Sequence, residues 1–260
     1  MSSLADLKLA PDVLFNVGPV PVTNTMTSAF AVSILLIIFA LFVRRNAGIV
    51  PSRLQVFVEL GIDLFMSKLV MILGSEKEAR KYFPLIFTFF IFILVANQFT
   101  LIPFVQTIVT EEGLTFFKTP TAHYSLPIAL ALIAFFAWNF IPFIMAPFRF
   151  LGNFIKLGVF TRIRSIKDVP MALLDFMLGI MDIISEGARL ISLPTRLFGN
   201  LVAGELIIAI ISGLFFYTQF FVPIPMIILS ILSGLVQAFV FALLTLLFLS
   251  TNVRNVKNHN

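Results

Sequence analysis

The chain has 260 residues, of which 59% are hydrophobic and only 12% charged, with a mean hydropathy of +1.04. Soluble domains carry about 25% charged residues, so this composition excludes one and specifies an integral membrane protein. The formal charge of +5 fits the basic excess that one side of a membrane accumulates rather than a nucleic-acid surface, and the absence of cysteine excludes disulfides, thiolate catalysis and cysteine metal sites.

Residues 1–25 mix polarities around Pro11, Pro19 and Pro21, and are expected to form an irregular or surface-lying outer lead. They lack the compact basic stretch, apolar core and small-residue cleavage site of a signal peptide. Residues 26–43 are the first expected span, long enough at ~1.5 Å per residue to approach a ~30 Å hydrocarbon core with some tilt or bilayer thinning. In residues 44–81, Arg44, Arg45, Arg53, Lys68, Lys77, Arg80 and Lys81 outnumber Glu59, Asp63, Glu76 and Glu78, which puts this loop in the cytoplasm. Inside it, Leu54, Phe57, Val58, Ile62, Phe65 and Leu69 recur at helical spacing among charges, the pattern of an amphipathic helix lying on the membrane surface.

The second expected span covers 82–104 and closes at Pro103; residues 105–125, with Glu111 and Glu112, return outside, and 126–148 form the third span. A second basic cluster, Arg149, Lys156, Arg162, Arg164 and Lys167, sets 149–168 in the cytoplasm. The stretch 170–217 exceeds the roughly 20 residues of an upright crossing, so it must tilt, break or run partly along the surface, with Pro194 as a kink point. A proline turn at 221–225 leads to the last helix, 226–249, and a cytoplasmic tail, 250–260. The expected fold is a single all-α membrane domain over 1–260. It has five membrane-crossing segments plus an amphipathic surface helix, and its last two long helices form an antiparallel hairpin. The N-terminus is expected outside and the C-terminus in the cytoplasm.

Arg196 is the residue that needs most explanation. Within an otherwise apolar segment its guanidinium costs roughly 2.5–3.5 kcal/mol on insertion scales, and it cannot escape by losing its proton. It must therefore face water or a partner protein rather than lipid, or pair with Asp182 or Glu186. At about 100° per residue, Asn200 falls one turn further on the same face, with Arg189 and Asp182 roughly in line before it. Gly199, Ala203 and Gly204 remove bulk beside the arginine, as helices do where another surface approaches closely.

The run RLFGN (196–200) followed by AGE (203–205) resembles the signature of subunit a of F-type ATP synthases. The resemblance extends to VPSRLQVFVE (50–59), NQFTLIP (97–103), TPTA (119–122) and LVQAFVFALLTLLFLS (235–250), in the family's order. It implies a tilted terminal hairpin cupping a rotating c-ring, peripheral-stalk b subunits as further partners, and surrounding membrane lipid. It also implies that Arg196 faces the carboxylate of each passing c subunit and separates two offset half-channels. No GxxxxGK[ST] phosphate loop or HExxH metal motif is present, so the chain is expected to translocate ions and leave nucleotide chemistry to other subunits, with no cofactor of its own.

Glu205 lies nine residues past Arg196, about 180° round an ideal helix, and so should face the hairpin partner. The resemblance makes it the acid of the outer half-channel. In several bacterial relatives that acid pairs with a histidine on the last helix, where this chain has Ser230. Asn200 and Gln237 match family residues of the outer ion path, and interhelical hydrogen bonding is the alternative role for both. Asp182 and Glu186 either conduct protons between Arg196 and the cytoplasm or pair with Arg189. Asp175 shares that segment. His123 stands where the family has an acid; it is either a proton donor at the outer channel mouth or a solvated loop residue. Ser230, Gly234, Ala238 and Ala242 form a ladder of small residues assigned to packing, and Thr100 is expected to pack the outer end of the second span. His259 carries no expected role. A secondary transporter and a non-transporting membrane scaffold are the alternatives, and the residues leave H⁺ against Na⁺, the ring size and the source open. A bacterial plasma (inner) membrane is the expected location.

Overall fold

The computed structural model describes residues 12–46, 48, 51–99, 105, 108–109, 115–145, 147, 169–214 and 223–257. Thr100, Glu111, Glu112, the basic cluster 149–168 and His259 lie outside the described residues, as does the side chain of Asp175. Among the described residues there are six long helices: α1 (Asn24–Arg45), α2 (Arg53–Leu73), α3 (Glu76–Gln98), α4 (Ser125–Met145), α5 (Val169–Leu214) and α6 (Pro223–Lys257). Among the described residues four helical stretches are long and apolar enough to cross a membrane: Asn24–Arg45, Glu76–Gln98, Ser125–Ile144 and Ile227–Arg254.

The described part of the lead into α1, residues 12–23, is regular rather than irregular. Val13–Val17 (β1) and Val20–Thr23 (β2) pair as an antiparallel hairpin, with Val17 opposite Val20 across the two-residue Gly18–Pro19 loop. Gly18 takes φ +62°, which a side chain resists, and proline supplies the fixed negative φ that follows. Pro21 is tolerated within β2 because both strands are edges, where a missing N–H leaves no ladder gap. The hairpin hands the chain to α1, whose first turn is polar and buried at Asn24, Thr25 and Ser28. Ser28 Oγ accepts from the Lys118 N–H at 3.0 Å and Thr27 Oγ1 donates to the Phe116 carbonyl at 3.0 Å, tying α1 to the segment before α4.

Helix α2 begins where the Ser52 hydroxyl accepts from Gln55 N–H and ends at Gly74 in the left-handed conformation. It buries a stripe at i, i+4, i+8 (Phe65, Leu69, Leu73) and leaves Phe57, Leu60 and Met71 exposed, an apolar flank suited to a lipid interface. The charged residues 76–81, expected in a loop before the second span, are instead the first turns of α3, where Arg80 pairs with Glu76 at 2.7 Å. Similarly, α6 continues through residues 250–257, so the expected tail is helical there, with Ser250 and Val253 buried.

Helix α5 runs unbroken through Pro194 for 46 residues, about 69 Å at the α-helical rise, and the 35 residues of α6 span about 52 Å. Arg189 meets Phe248 and Asn200 meets Gln237, so partners on α6 move backwards as α5 advances, and the two helices are antiparallel. The core joins α2 to α6 around Phe65, Ile86, Ile93, Trp138, Leu197, Phe241 and Leu246. Phenylalanine serves both packing and surface: Phe65, Phe90 and Phe239 cluster at ring separations of 4.4 to 6.4 Å, while Phe30 and Phe57 stand exposed.

The small-residue ladder of α6 is packing at Gly234, Ala238 and Ala242, all buried, whereas Ser230 opens onto a cavity. At Gly234 a Cβ would lie 2.7 Å from Gln98 Nε2 and 3.2 Å from Asn97 Cβ, so any side chain there makes Gln98 swing away and presses on Asn97. Gly234→Leu is expected to cost about 1–3 kcal/mol by overpacking. The check is a lowered thermal unfolding midpoint of the assembled protein against Gly61→Ala, since a Cβ at Gly61 meets open space.

Candidate functional site

Three polar junctions line up along α5, each built from a different set of neighbours. The first is centred on Glu186, which is 8% exposed. Its Oε2 accepts from Trp138 Nε1 at 3.0 Å and its Oε1 from Arg189 Nη1 at 2.8 Å. The Arg189 guanidinium lies 4.5 Å over the Phe248 ring, which also packs edge-on against Trp138, and Asn252 donates to the Trp138 carbonyl. Of the two roles considered for Glu186, pairing with Arg189 is present here, and the pair welds α4, α5 and α6 together. Asp182 is exposed.

Arg196 comes two turns after Arg189, about 20° round the same helix, but without that residue's ion pair. Leu193, Pro194 and Leu197 are buried around it, while Arg196 is exposed beside a shallow groove of Ala188, Ile191, Ser192 and Thr195. Among the described residues it makes no ion pair or hydrogen bond. Glu186 is committed to Arg189, and Asp182 lies 14 residues away, about 21 Å along the helix, so neither neutralises it. Gly199 and Ala203, three and seven residues on, extend the same flank without bulk, and a Cβ at Gly199 would meet nothing within 4 Å. Behind the arginine, Tyr124 OH bonds Thr195 Oγ1 at 2.7 Å and its ring packs edge-on against Phe198.

The second junction lies between α5, α6 and the end of α3. Asn200 Nδ2 donates to Gln237 Oε1 at 2.9 Å. Gln237 is 4% exposed, and its own Nε2 has no partner among the described residues. It lines a cavity of about 190 Å³ that also receives Asn97, Asn200, Ser230 and Ser233. A buried amide N–H left without an acceptor costs about 1–3 kcal/mol, and this mainly apolar cavity, with the amides and hydroxyls of Asn97, Asn200, Ser230 and Ser233 on its wall, has room for a water that would satisfy it.

The third junction holds Glu205. Its Oε1 accepts from Thr119 Oγ1 at 2.6 Å, so its hydrogen-bond partner comes from the loop before α4 and not from the hairpin helix, as the helical angle had suggested. Thr119 opens the 3-10 turn Pro120–Ala122, and Thr121 Oγ1 donates to Asn97 Oδ1 at 2.8 Å. Asn97 in turn donates to the Gly234 carbonyl, joining the turn to α3 and α6. His123 belongs to none of these networks: half exposed, its Nδ1 pairs with Ser125 Oγ at 2.8 Å at the start of α4.

Arg196, Asn200, Gln237 and Glu205 therefore gather on α5 and the facing part of α6, with the cation on the outer flank and the acid held on the inner side. Sequence reasoning missed Thr119, Thr121, Asn97, Tyr124 and Trp138 as partners. The TPTA and NQF stretches flagged three of them, but a hydroxyl or amide in a loop has no periodicity to reveal its partner. Among the described residues no three His, Cys, Asp or Glu side chains come together to hold a metal ion.

Residues 25–250 match the family model described as ATP synthase A chain. The chain is 30% identical over 248 residues to ATP synthase subunit a 2 of a Bradyrhizobium species, covering 95% of this chain and 96% of that one. It is also 30% identical over 243 residues to ATP synthase subunit a of Moorella thermoacetica, covering 94% and 96% respectively. With ATP synthase subunit a of Desulfotalea psychrophila it shares 34% identity over 226 residues, covering 86% and 81%. An extended match of this kind, on a chain of long apolar helices, means that the protein belongs to the ATP synthase A chain family, membrane proteins of ATP synthesis and proton transport.

Proposed function

We propose that this chain is the stator half of a rotary ion path, and that Arg196 faces the carboxylate of each passing c subunit. In this reading α5 is a fifth, strongly tilted crossing, the α5–α6 hairpin lies against the c-ring, and b subunits of the peripheral stalk hold the assembly. The N-terminus lies outside a bacterial plasma membrane and the C-terminus in the cytoplasm. The chain itself performs no nucleotide chemistry.

The observation that carries the proposal is the division of α5 into two sides. A cation without an ionic partner among the described residues points out of the bundle past Gly199 and Ala203, and a cavity that holds the Gln237 amide, unsatisfied among the described residues, lies between α5 and α6. A carboxylate carried through lipid must be neutral because desolvation disfavours its charge, whereas a fixed cation nearby favours the anion. Arg196 therefore discharges the arriving group. Arginine keeps its proton at ordinary pH, so it also interrupts direct proton flow between two half-channels. Asn200, Gln237 and Glu205 form the outer path, and water held by the cavity carries the ion toward the ring. Asp182 lies on the cytoplasmic side of the same path, and His123 stays local to its loop. Each charge crossing is worth about 2.3 kcal/mol per 100 mV, so rotation has to accumulate several crossings for each ATP made elsewhere in the complex. A secondary transporter or a passive scaffold would not require this arrangement of an outward cation and an inner acid.

Glu205→Ala in an assembled complex tests the outer path. ATP-driven acidification of membrane vesicles is expected to slow by about a hundredfold, the lower end of what a positioned proton-transfer group contributes. Unchanged acidification, with assembly verified by co-purification, removes Glu205 from the path.

A further inference from the structure

Glu205 is held by one oxygen only. Thr119 Oγ1 lies 2.6 Å from Oε1, within the range of hydrogen bonds to a charged acceptor, and among the described residues Oε2 has no partner. Thr119 is itself 2% exposed. Its carbonyl accepts from the Ala122 N–H at 3.0 Å, which closes the 3-10 turn. Two residues on, Thr121 is tied through Asn97 to the backbone of α6 at Gly234. The hydroxyl is thus fixed by a loop pinned to both α3 and α6. On α6, Ser230 Oγ sits 3.9 Å from the Cβ position of Gly204 and lines the cavity.

We propose that Thr119 is a positioning residue for ion translocation: it anchors Glu205 through Oε1 and leaves Oε2 free to take up and release the proton. This rests on the reading of Glu205 as the outer-path acid. A glutamate side chain turns about several bonds, and each unproductive rotamer removes its oxygen from the path; a buried donor aimed at one oxygen eliminates most of them. The proton transfer balances simply. A proton arrives from water onto Oε2, converting the carboxylate to the acid, and leaves the same oxygen toward the ring. The threonine O–H bond is never broken, so Thr119 orients the acid without relaying charge.

The test uses the complete ATP synthase in membrane vesicles and compares ATP-driven acidification per assembled complex. Thr119→Val keeps the shape and removes the donor; Thr119→Ala removes it without the branched bulk, in case valine disturbs assembly. Both are expected to slow pumping by about tenfold, the rate equivalent of one hydrogen bond to a charged group. Thr119→Ser, which retains the hydroxyl, is expected to restore the parent rate. Thr119→Val combined with Glu205→Ala is expected to pump no more slowly than Glu205→Ala alone, because both changes act on one step. If Thr119→Val and Thr119→Ala pump normally while Glu205→Ala is slow, the acid stands and the positioning role is overturned. If Thr119→Ser is as slow as valine, the threonine acts by packing and the proposal fails. Normal pumping by Glu205→Ala overturns the underlying reading as well.

Discussion

Arg196→Ala is expected to abolish ATP-driven proton pumping while the complex remains assembled. The size of the effect follows from where the cation sits. A unit charge about 4 Å from a carboxylate at an effective dielectric of about 20 stabilises the anion enough to change its discharge on the order of a hundredfold or more. Among the described residues no neighbouring cation substitutes for it, because Glu186 already holds Arg189. The exposure of Arg196 makes the experiment clean. A side chain that contributes no hydrogen bond or ion pair to the described bundle can be truncated with a stability change within about 0.5 kcal/mol, so lost pumping cannot be ascribed to a misfolded subunit. Passive proton permeability measured in parallel adds a second readout: an increased leak supports the separating role. Arg196→Lys keeps the charge but replaces a planar, permanently charged fork with a compact ammonium, and should restore only part of the activity. Normal pumping by the alanine variant would sink the proposed mechanism.

Glu186→Ala is expected to damage stability rather than transport chemistry. Its removal leaves the Trp138 indole N–H and the Arg189 guanidinium facing each other without an acceptor at the junction of α4, α5 and α6. Deleting the acid costs about 1–3 kcal/mol, mainly because the buried Trp138 N–H loses its acceptor, while the Arg189 side chain, 31% exposed, is partly rescued by water. Arg189 keeps its contact with Phe248, which offsets only part of the loss. The measurement is the thermal unfolding midpoint of the assembled protein and the amount of subunit retained in membranes; both should fall. Glu186→Gln keeps an acceptor oxygen and should be milder. It also separates the two roles weighed for this acid. An amide cannot exchange a proton, so if Glu186 belonged to the cytoplasmic half of the path, Glu186→Gln would stop pumping at undiminished stability. Pumping is expected to continue.

Helix identity was legible in the sequence because it rests on local patterns. Apolar runs long enough for a bilayer, basic residues at their ends and helical spacing between residues 53 and 73 all appear within a few turns of chain, and the structure places helices there. Boundaries moved where local cues compete. Charged residues 76–81 join α3 because they satisfy one another along a helix, as Arg80 and Glu76 do, and residues 250–257 join α6 because Val253 has a buried seat in the bundle. The β-hairpin at 13–23 was missed because three prolines argue against strands, and a two-stranded ribbon is the one setting in which edge prolines do little harm.

By itself the sequence determined the class of protein, its helices and the residue that most needed explaining, since a lone arginine in an apolar segment is costly wherever the segment folds. Only the tertiary structure decided the partners. Thr119 meets Glu205 across 86 positions of chain, Trp138 meets Glu186 across 48, and Asn200 meets Gln237 across 37. Each meeting depends on the rotation and axial offset of whole helices, and these are set by where Gly234 lets α3 approach α6 and where the aromatic core fills. A helical period specifies which side of a helix a residue occupies, but not which neighbour will be packed against that side or at what height.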